Sequence, residues 1–390
     1  MNANNKKFRM VALDLDGTLL NSNHELSDAT IAHLRRLNAK GFVVAIATGR
    51  SAACAAHIIE KLNLSPIQQT YLVGNGDSKE GFPLVCTNGA RGLKIRKSQS
   101  DIGGVACHKA PHRSNTVPLD STNNSTNNED NQTPTNPFLR RTLIINEELF
   151  HNPLSTSLTL QTLALANRLG CVTNYYHNHH IYAVVRNEEQ MELTRRYGRL
   201  TGSIELYCYL NDGSGENGEQ SKAVYNEENA YGYQQAMELG PPSKLLILCN
   251  TQKLDEITNL VRKELNGSCN NALSNDNADG TQQQQQRANV IRGTPPFFVE
   301  VLSATVHKGH GLLQLCESLS IPLEEVIAFG DGDNDLEFVQ MAGWGVAMKN
   351  ARDILKGVAD EIAEWSNDEV SLRLYMFLPF TGGMFVLTMR

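Results

Sequence analysis

The sequence lacks the pairings that would make cysteine a structural or metal-binding device. Its eight cysteines (Cys54, Cys86, Cys107, Cys171, Cys208, Cys249, Cys269 and Cys316) are scattered, with no CxxC and no CxxC…HxxxH frame. They read as reduced, buried thiols. No GxxxxGK[ST] is present, which sets aside P-loop kinases and NTPases. No uninterrupted apolar stretch is long enough to span a bilayer, and MNANNKKFRM has no apolar run of the signal-peptide kind. The expectation is a cytoplasmic, reducing setting with no membrane partner. Nor is there an excess of positive charge: the formal net charge is −7, which argues against broad attraction to nucleic acid. Nothing repeats at the period of a solenoid or propeller.

The 390 residues are too many for one ordinary core and suit two domains. Two segments break the globular pattern. Ser114–Pro137 is almost all Asn, Ser, Thr and Pro, and Asn266–Asn289 contains the run Gln282–Gln286. Neither buries enough apolar surface to offset its ordering entropy, so both are expected to be disordered inserts. Elsewhere short apolar runs alternate with amphipathic stretches, the pattern of an α/β fold. Met10–Leu13, Phe42–Ala47, Leu84–Thr87 and Val326–Phe329 read as buried parallel strands. Each ends in polar or glycine-rich sequence: Asp14-Leu-Asp16-Gly, Thr48-Gly-Arg50, Asn88-Gly-Ala and Gly330-Asp331-Gly-Asp333-Asn334-Asp335. Open α/β sheets place their sites beyond the carboxyl ends of the strands. Ser27 or Asp28 caps a helix with Ile31, Leu34 and Leu37 on one face, and Lys308-Gly309 opens another. The expected fold is a Rossmann-like parallel-sheet core, residues 1–90 and 302–390, with an α+β domain inserted over residues 91–301. Within the insert, Thr142–Ile145, Ile181–Val185, Leu245–Leu248 and Phe297–Val301 read as strands.

Asp14 and Asp16 project to one face of an extended segment, because side-chain direction repeats every two residues. Two carboxylates in different surroundings suit a nucleophile and a general acid–base. Taken alone, the tripeptide reads equally as a solvated strand end. Asp331, Asp333 and Asp335 repel one another unless something cationic sits among them, and hard oxygen ligands suit Mg²⁺. An acidic turn capping the next helix is the structural alternative. The Thr48 hydroxyl and Gly49 amide can bind phosphate oxygens, or Thr48 or Ser51 can simply cap a helix. Lys308 can neutralise a phosphate or an aspartate.

In this chain order the four motifs resemble the haloacid dehalogenase-like hydrolase superfamily. LDLDGTLL, IATGR, the NGA at Asn88–Ala90, KGHGLLQL, IAFGDGDND and GVAMKNA narrow the resemblance to the Cof-type phosphatases, over roughly residues 8–90 and 297–351. It implies Asp14 as nucleophile and Asp16 as general acid–base. Mg²⁺ would be held by Asp14, the Asp16 carbonyl and Asp331. Thr48, Gly49, Arg50, Asn88, Lys308 and Asn334 would lie around a small phosphate ester, and Asp335 would orient Lys308 or a metal-bound water. A phosphomutase or phosphotransferase, or a non-catalytic relative, shares the same fold. His307 stands where the family usually has Ser, Asn or Asp, Phe338 where it has Met, and Lys349 where Gly is common. The insert would select the substrate; Tyr175, Tyr176, His177, His179 and His180 form a polar–aromatic cluster there, and each reads equally as part of a hairpin.

Overall fold

The computed structural model describes residues 8–64, 81–96, 144–178, 180–201, 207–209, 225–267, 288–293 and 295–369. Both low-complexity inserts, 114–137 and most of 266–289, lie outside these residues, as does the apolar stretch Phe377–Arg390. The chain divides into two compact units. The first takes residues 1–98, 143–151 and 306–390, and the second takes 99–142 and 152–305.

The first unit is built on an eight-stranded sheet. Six strands are parallel: β1 (Met10–Leu13), β2 (Val43–Ala47), β3 (Phe82–Cys86), β12 (Val326–Gly330), β13 (Trp344–Ala347) and β14 (Glu361–Ile362). Two are antiparallel, β4 (Arg91–Arg96) and β5 (Ile144–His151). The spatial order is β14-β13-β12-β1-β2-β3-β4-β5. Every residue of β1, β2, β3 and β12 is buried. This is why these runs are apolar throughout, without the alternation of a half-solvated sheet. Strand β1 pairs with β12 on one side and β2 on the other. The chain leaves β1 toward β2 and β3, and later returns to its other flank through β12. That reversal makes the carboxyl end of β1 a topological switch point, where α/β sheets open a crevice.

Helices α1 (Asp28–Ala39), α2 (Ala52–Leu62), α7 (Lys308–Leu319) and α8 (Leu336–Met341) connect these strands. Ser27 caps α1, its hydroxyl accepting from the Thr30 N–H at 3.1 Å. Ser51 caps α2, so Thr48 is not the cap. At Lys308 the cap is His307, whose Nδ1 accepts from the His310 N–H at 3.2 Å. An imidazole can do this only through an unprotonated nitrogen, and burial holds His307 below its ordinary range. His307 thus offers the cap acceptor that a Ser, Asn or Asp side chain can also offer. Phe338 is fully buried in the core, and Lys349 pairs with Glu369 at 2.8 Å on the surface.

Strands β4 and β5 are a difference from the sequence reading, which placed them in the insert. They extend the first unit's sheet because Leu93 and Ile95 bury, while Arg91 and Lys94 pair across strands with Glu148 and Glu147. The charged positions mask the strand pattern.

The second unit carries a six-stranded sheet: β6 (Val172–His177), β7 (His180–Ala183), β8 (Tyr207–Tyr209), β9 (Lys244–Leu248), β10 (Ala288–Arg292) and β11 (Phe298–Ser303), ordered β10-β11-β9-β6-β7-β8. Helices α3 (Thr156–Arg168) and α6 (Leu254–Asn266) pack with Tyr175, Leu245, Ile247, Val299 and Val301. The alternate residues Val172, Tyr176, Leu246 and Leu248 form a separate cluster with Tyr197 of α4 (Glu188–Thr201). The period-2 rule divides the sheet between the two cores. Tyr175 and Tyr176 are both core residues, 0% and 4% exposed. Tyr175 donates to the Gly240 carbonyl at 2.6 Å and Tyr176 to the Tyr197 hydroxyl at 2.7 Å. His177 Nδ1 lies 3.2 Å from the Pro241 carbonyl, and His179 lies outside the described residues. No helix among the described residues is long and apolar enough to cross a membrane.

Candidate active site

The carboxyl ends of β1, β2, β3 and β12 bring together Asp14, Thr48, the Thr87–Gly89 turn and Asp331. The turns are stitched by backbone: the Thr48 N–H donates to the Val85 carbonyl, the Thr87 N–H to Arg50 and the Asn88 N–H to Thr48, at 2.9–3.0 Å. Thr87 and Asn88 both hold positive φ, 51° and 55°. Such backbone is costly for a β-branched residue and persists where surrounding structure imposes it. Gly89 follows at φ 96°, and a Cβ there would sit 2.1 Å from the His307 carbonyl. The close approach packs this turn on the start of α7 and leaves no room for a side chain.

Helix α7 delivers Lys308, which is 1% exposed. Its ammonium hydrogen-bonds Asp14 Oδ1 and Asp335 Oδ1, the latter at 2.6 Å. Burial alone would lower it, yet the two carboxylates hold it above the ordinary lysine range. Asp335 is fixed further: its Oδ2 accepts from the N–H groups of Asp331 and Gly332 at 3.0 and 2.9 Å. It therefore serves Lys308 and its own turn, which answers the alternative posed above for the acidic triplet. Asp333 turns outward to Arg352 at 3.0 Å.

Asp331 accepts from the Thr18 hydroxyl at 2.8 Å. Gly17, at φ 83°, makes this possible, since a Cβ there would fall 2.2 Å from Asp331 Oδ2. Thr18 is a site residue that sequence reading passed over, although it is the T of DLDGT. Asp14, Asp331 and Asp335 each bring one carboxylate oxygen within 4.8 Å of the other two. Burial first, and the neighbouring carboxylates after it, push Asp14 well up against the pull of Lys308. Burial and Asp335 push Asp331 up to about 7. Three carboxylates converge where one ammonium pairs with two of them, and a hard divalent cation is the group that would make such a donor set comfortable. Asp14 and Asp331 fit that group, with Asp335 already committed to Lys308.

The Asp16 side chain does not join the three. It turns to Arg50, which donates through Nε at 2.8 Å and through Nη2, and His24 Nδ1 lies 3.1 Å from its Oδ1. Burial would raise Asp16, but the paired donors of Arg50 and then His24 hold it below its usual range. Arg50 is thus engaged with Asp16. Asn88 and Asn334, both expected beside phosphate, meet each other: Asn334 Nδ2 donates to Asn88 Oδ1 at 3.1 Å. Gly49 packs on the same amide, where a Cβ would lie 2.9 Å from Asn88 Oδ1. Thr48 is fully buried, and its hydroxyl accepts from the Arg50 N–H at 3.1 Å.

Residues 11–91 and 143–372 match the family described as haloacid dehalogenase-like hydrolase, well over half of the chain. The chain belongs to that family. It is 44% identical over 73 residues to a phosphoglycolate phosphatase of Methanopyrus kandleri, 19% of this chain and 32% of that protein. It is 36% identical over 75 residues to the 5-amino-6-(5-phospho-D-ribitylamino)uracil phosphatase YitU of Bacillus subtilis, 19% of this chain and 28% of that protein. The aligned stretches span about a third of those relatives. A haloacid dehalogenase-like hydrolase from Bacteroides thetaiotaomicron shares the fold, with TM-score 0.58 and 21% identity over 93% of this chain and 96% of that one.

Proposed function

We propose that this hydrolase-family chain is a Mg²⁺-dependent phosphatase of small phosphate monoesters, acting through an aspartyl-phosphate on Asp14. The observation that carries the reading is the convergence of buried Asp14 and Asp335 with half-buried Asp331 beside the ammonium of Lys308, which pairs with Asp14 and Asp335. Clustered carboxylates that outnumber their ammonium are a donor set for a cation, and positioned cations are what phosphoryl transfer requires.

An Asp14 carboxylate oxygen attacks phosphorus in line, and the ester P–O bond breaks as the new one forms. Lys308 offsets the charge of Asp14 and the phosphoryl oxygens, and Asp335 holds Lys308 in place. Thr48 and the paired amides Asn88 and Asn334 lie at the same strand ends, where their N–H and O–H groups suit phosphoryl oxygens. Mg²⁺ at Asp14 and Asp331, with the Asp16 carbonyl as its expected third protein ligand, would supply charge neutralisation and alignment. Asp16 gives its proton to the departing alkoxide, then takes one from the water that cleaves the aspartyl-phosphate. While Arg50 and His24 hold Asp16 it is the ionised, base form. A phosphate dianion competing for Arg50 would raise it toward the acid form. The second unit, as the cap, is where substrate choice would reside.

A panel of phosphate monoesters, assayed for free phosphate with Mg²⁺ and with EDTA, tests this. Release without any added acceptor, abolished by EDTA and restored by Mg²⁺, is the expected result. Full activity in metal-free protein, or transfer only to an added sugar, would refute it.

A further inference from the structure

Residues 21–25 form a turn with little apolar anchoring, and residues 22–25 are exposed. Their internal order comes from Asn21. Its Oδ1 accepts from the N–H groups of Asn23 and Glu25 at 3.0 and 2.9 Å. Its carbonyl takes the His24 N–H at 2.8 Å, and its own N–H donates to the Glu25 carbonyl at 3.0 Å. This turn presents His24, at φ 59°, to Asp16. A turn that is rigid within itself still has to be placed. The segment beyond β14, together with Asn350 just after β13, does that. Ser22 donates to Asp368 twice, from N–H to Oδ1 at 2.7 Å and from hydroxyl to Oδ2 at 2.5 Å. Asn367 Nδ2 donates to the Leu20 carbonyl at 2.9 Å, and Asn350 Nδ2 to the Gly17 carbonyl at 2.7 Å. The Asn367 N–H in turn donates to Asn350 Oδ1 at 3.1 Å. Five hydrogen bonds thus join residues more than 300 positions away, and one another, onto the loop that leaves the nucleophile strand.

We infer that Asp368, with Asn367 and Asn350, is a clasp that positions Asp16 for proton transfer, acting through the Asn21 turn and His24. The inference rests on the reading of Asp16 as the acid–base group. Asp368 touches no reacting atom; it is a positioning residue. Exposed hydrogen bonds hold little singly, but proton transfer is steep in geometry, and a displacement of about 1 Å can lower a rate about 10²-fold.

The test compares two probes in the full chain with Mg²⁺. Phenyl phosphate has a leaving group that needs a proton, and p-nitrophenyl phosphate has one that departs with little help. Asp368→Ala should lower kcat/KM on phenyl phosphate about tenfold and on p-nitrophenyl phosphate about twofold or less, with little change in Tm. Asp368→Asn, which still accepts from Ser22, should restore most of the loss. Ser22→Ala combined with Asp368→Ala should be no worse than Asp368→Ala alone, since both changes break one link. Wild-type values in Asp368→Ala, or an equal fall on both probes that Asp368→Asn does not restore, would overturn the clasp while leaving the proposed function intact. Asp16→Asn is the control for the underlying reading. If it shows no leaving-group-selective loss, the acid–base assignment fails and takes this inference with it.

Discussion

Two fully buried lysines, one in each unit, are paired in different ways. In the second unit Lys244, fully buried, pairs with Glu300 at 3.2 Å and lies 4.7 Å from the centre of the Tyr176 ring. There one ammonium meets one carboxylate beside an aromatic face. At the strand ends of the first unit the buried ammonium of Lys308 pairs with both Asp14 and Asp335, and Asp331 lies close to these carboxylates. Both arrangements cost desolvation, but only the second leaves a surplus of one sign. A balanced buried pair suits a structural role, whereas an unbalanced cluster at strand ends is the kind of arrangement that marks candidate sites for a charged group.

Breaking each cluster should have unlike consequences. Lys308→Met leaves Asp14 and Asp335 buried without their cation. Phosphatase turnover should vanish, and a thermal melt should show loss of the order of 3–5 kcal/mol. Lys244→Met should cost a similar amount of stability, measured by denaturant titration. Replacing both members, Lys244→Met with Glu300→Leu, should recover most of it, because well-packed apolar residues often substitute for a buried pair. Core activity on p-nitrophenyl phosphate should survive in the double variant. Loss of activity there with stability recovered would show that the balanced pair is more than scaffold.

Asp16→Asn should reduce kcat by about 10²–10⁴-fold, the usual worth of general acid–base assistance, as read by steady-state phosphate release. A smaller effect comes from pH. Folding raises Asp331 to about 7, against about 3.9 for an unfolded aspartate. Between those values the fold binds a proton that the unfolded chain releases, so this group's contribution to stability falls as pH rises from about 4 to about 7. Asp16 has the opposite sign: lowered in the fold, it contributes stability above the unfolded value, and that contribution is lost as pH falls through the folded one. Mg²⁺ at about a hundred times its Kd should stabilise by about 2.7 kcal/mol. The resulting rise in Tm should be larger near pH 8 than near pH 5.5, because protons compete for Asp331. Equal shifts at the two pH values would count against Asp331 as a ligand. His307→Asn should be nearly silent in both Tm and kcat, since Asn offers the same acceptor to the His310 N–H.

Much of the first unit could be read from sequence because its signals are local. Strand β1 is an apolar run of four followed by DLDGT, Ser27 is a cap before a periodic helix, and Lys308 opens α7. Side-chain choices at the site could not be read in the same way. That Arg50 takes Asp16, and that Asn334 takes Asn88, depends on turns separated by 34 and 246 positions, and no spacing rule reaches so far. Strand β4 was missed, and only the start of β5 was read as a strand, for a different reason: cross-strand ion pairs replace apolar residues at buried positions, so the alternation is hidden. The Asp368–Ser22 link, 346 positions apart, leaves no local trace at all.

The central claim is that Asp14 is the nucleophile, and mass spectrometry of acid-quenched enzyme tests it most directly. Wild-type or Asp16→Asn protein, mixed with Mg²⁺ and p-nitrophenyl phosphate and quenched within a turnover, should carry a phosphate adduct on the peptide containing Asp14. Asp14→Asn should carry none and should not turn over. An adduct on another residue, or normal turnover in Asp14→Asn, would contradict the account.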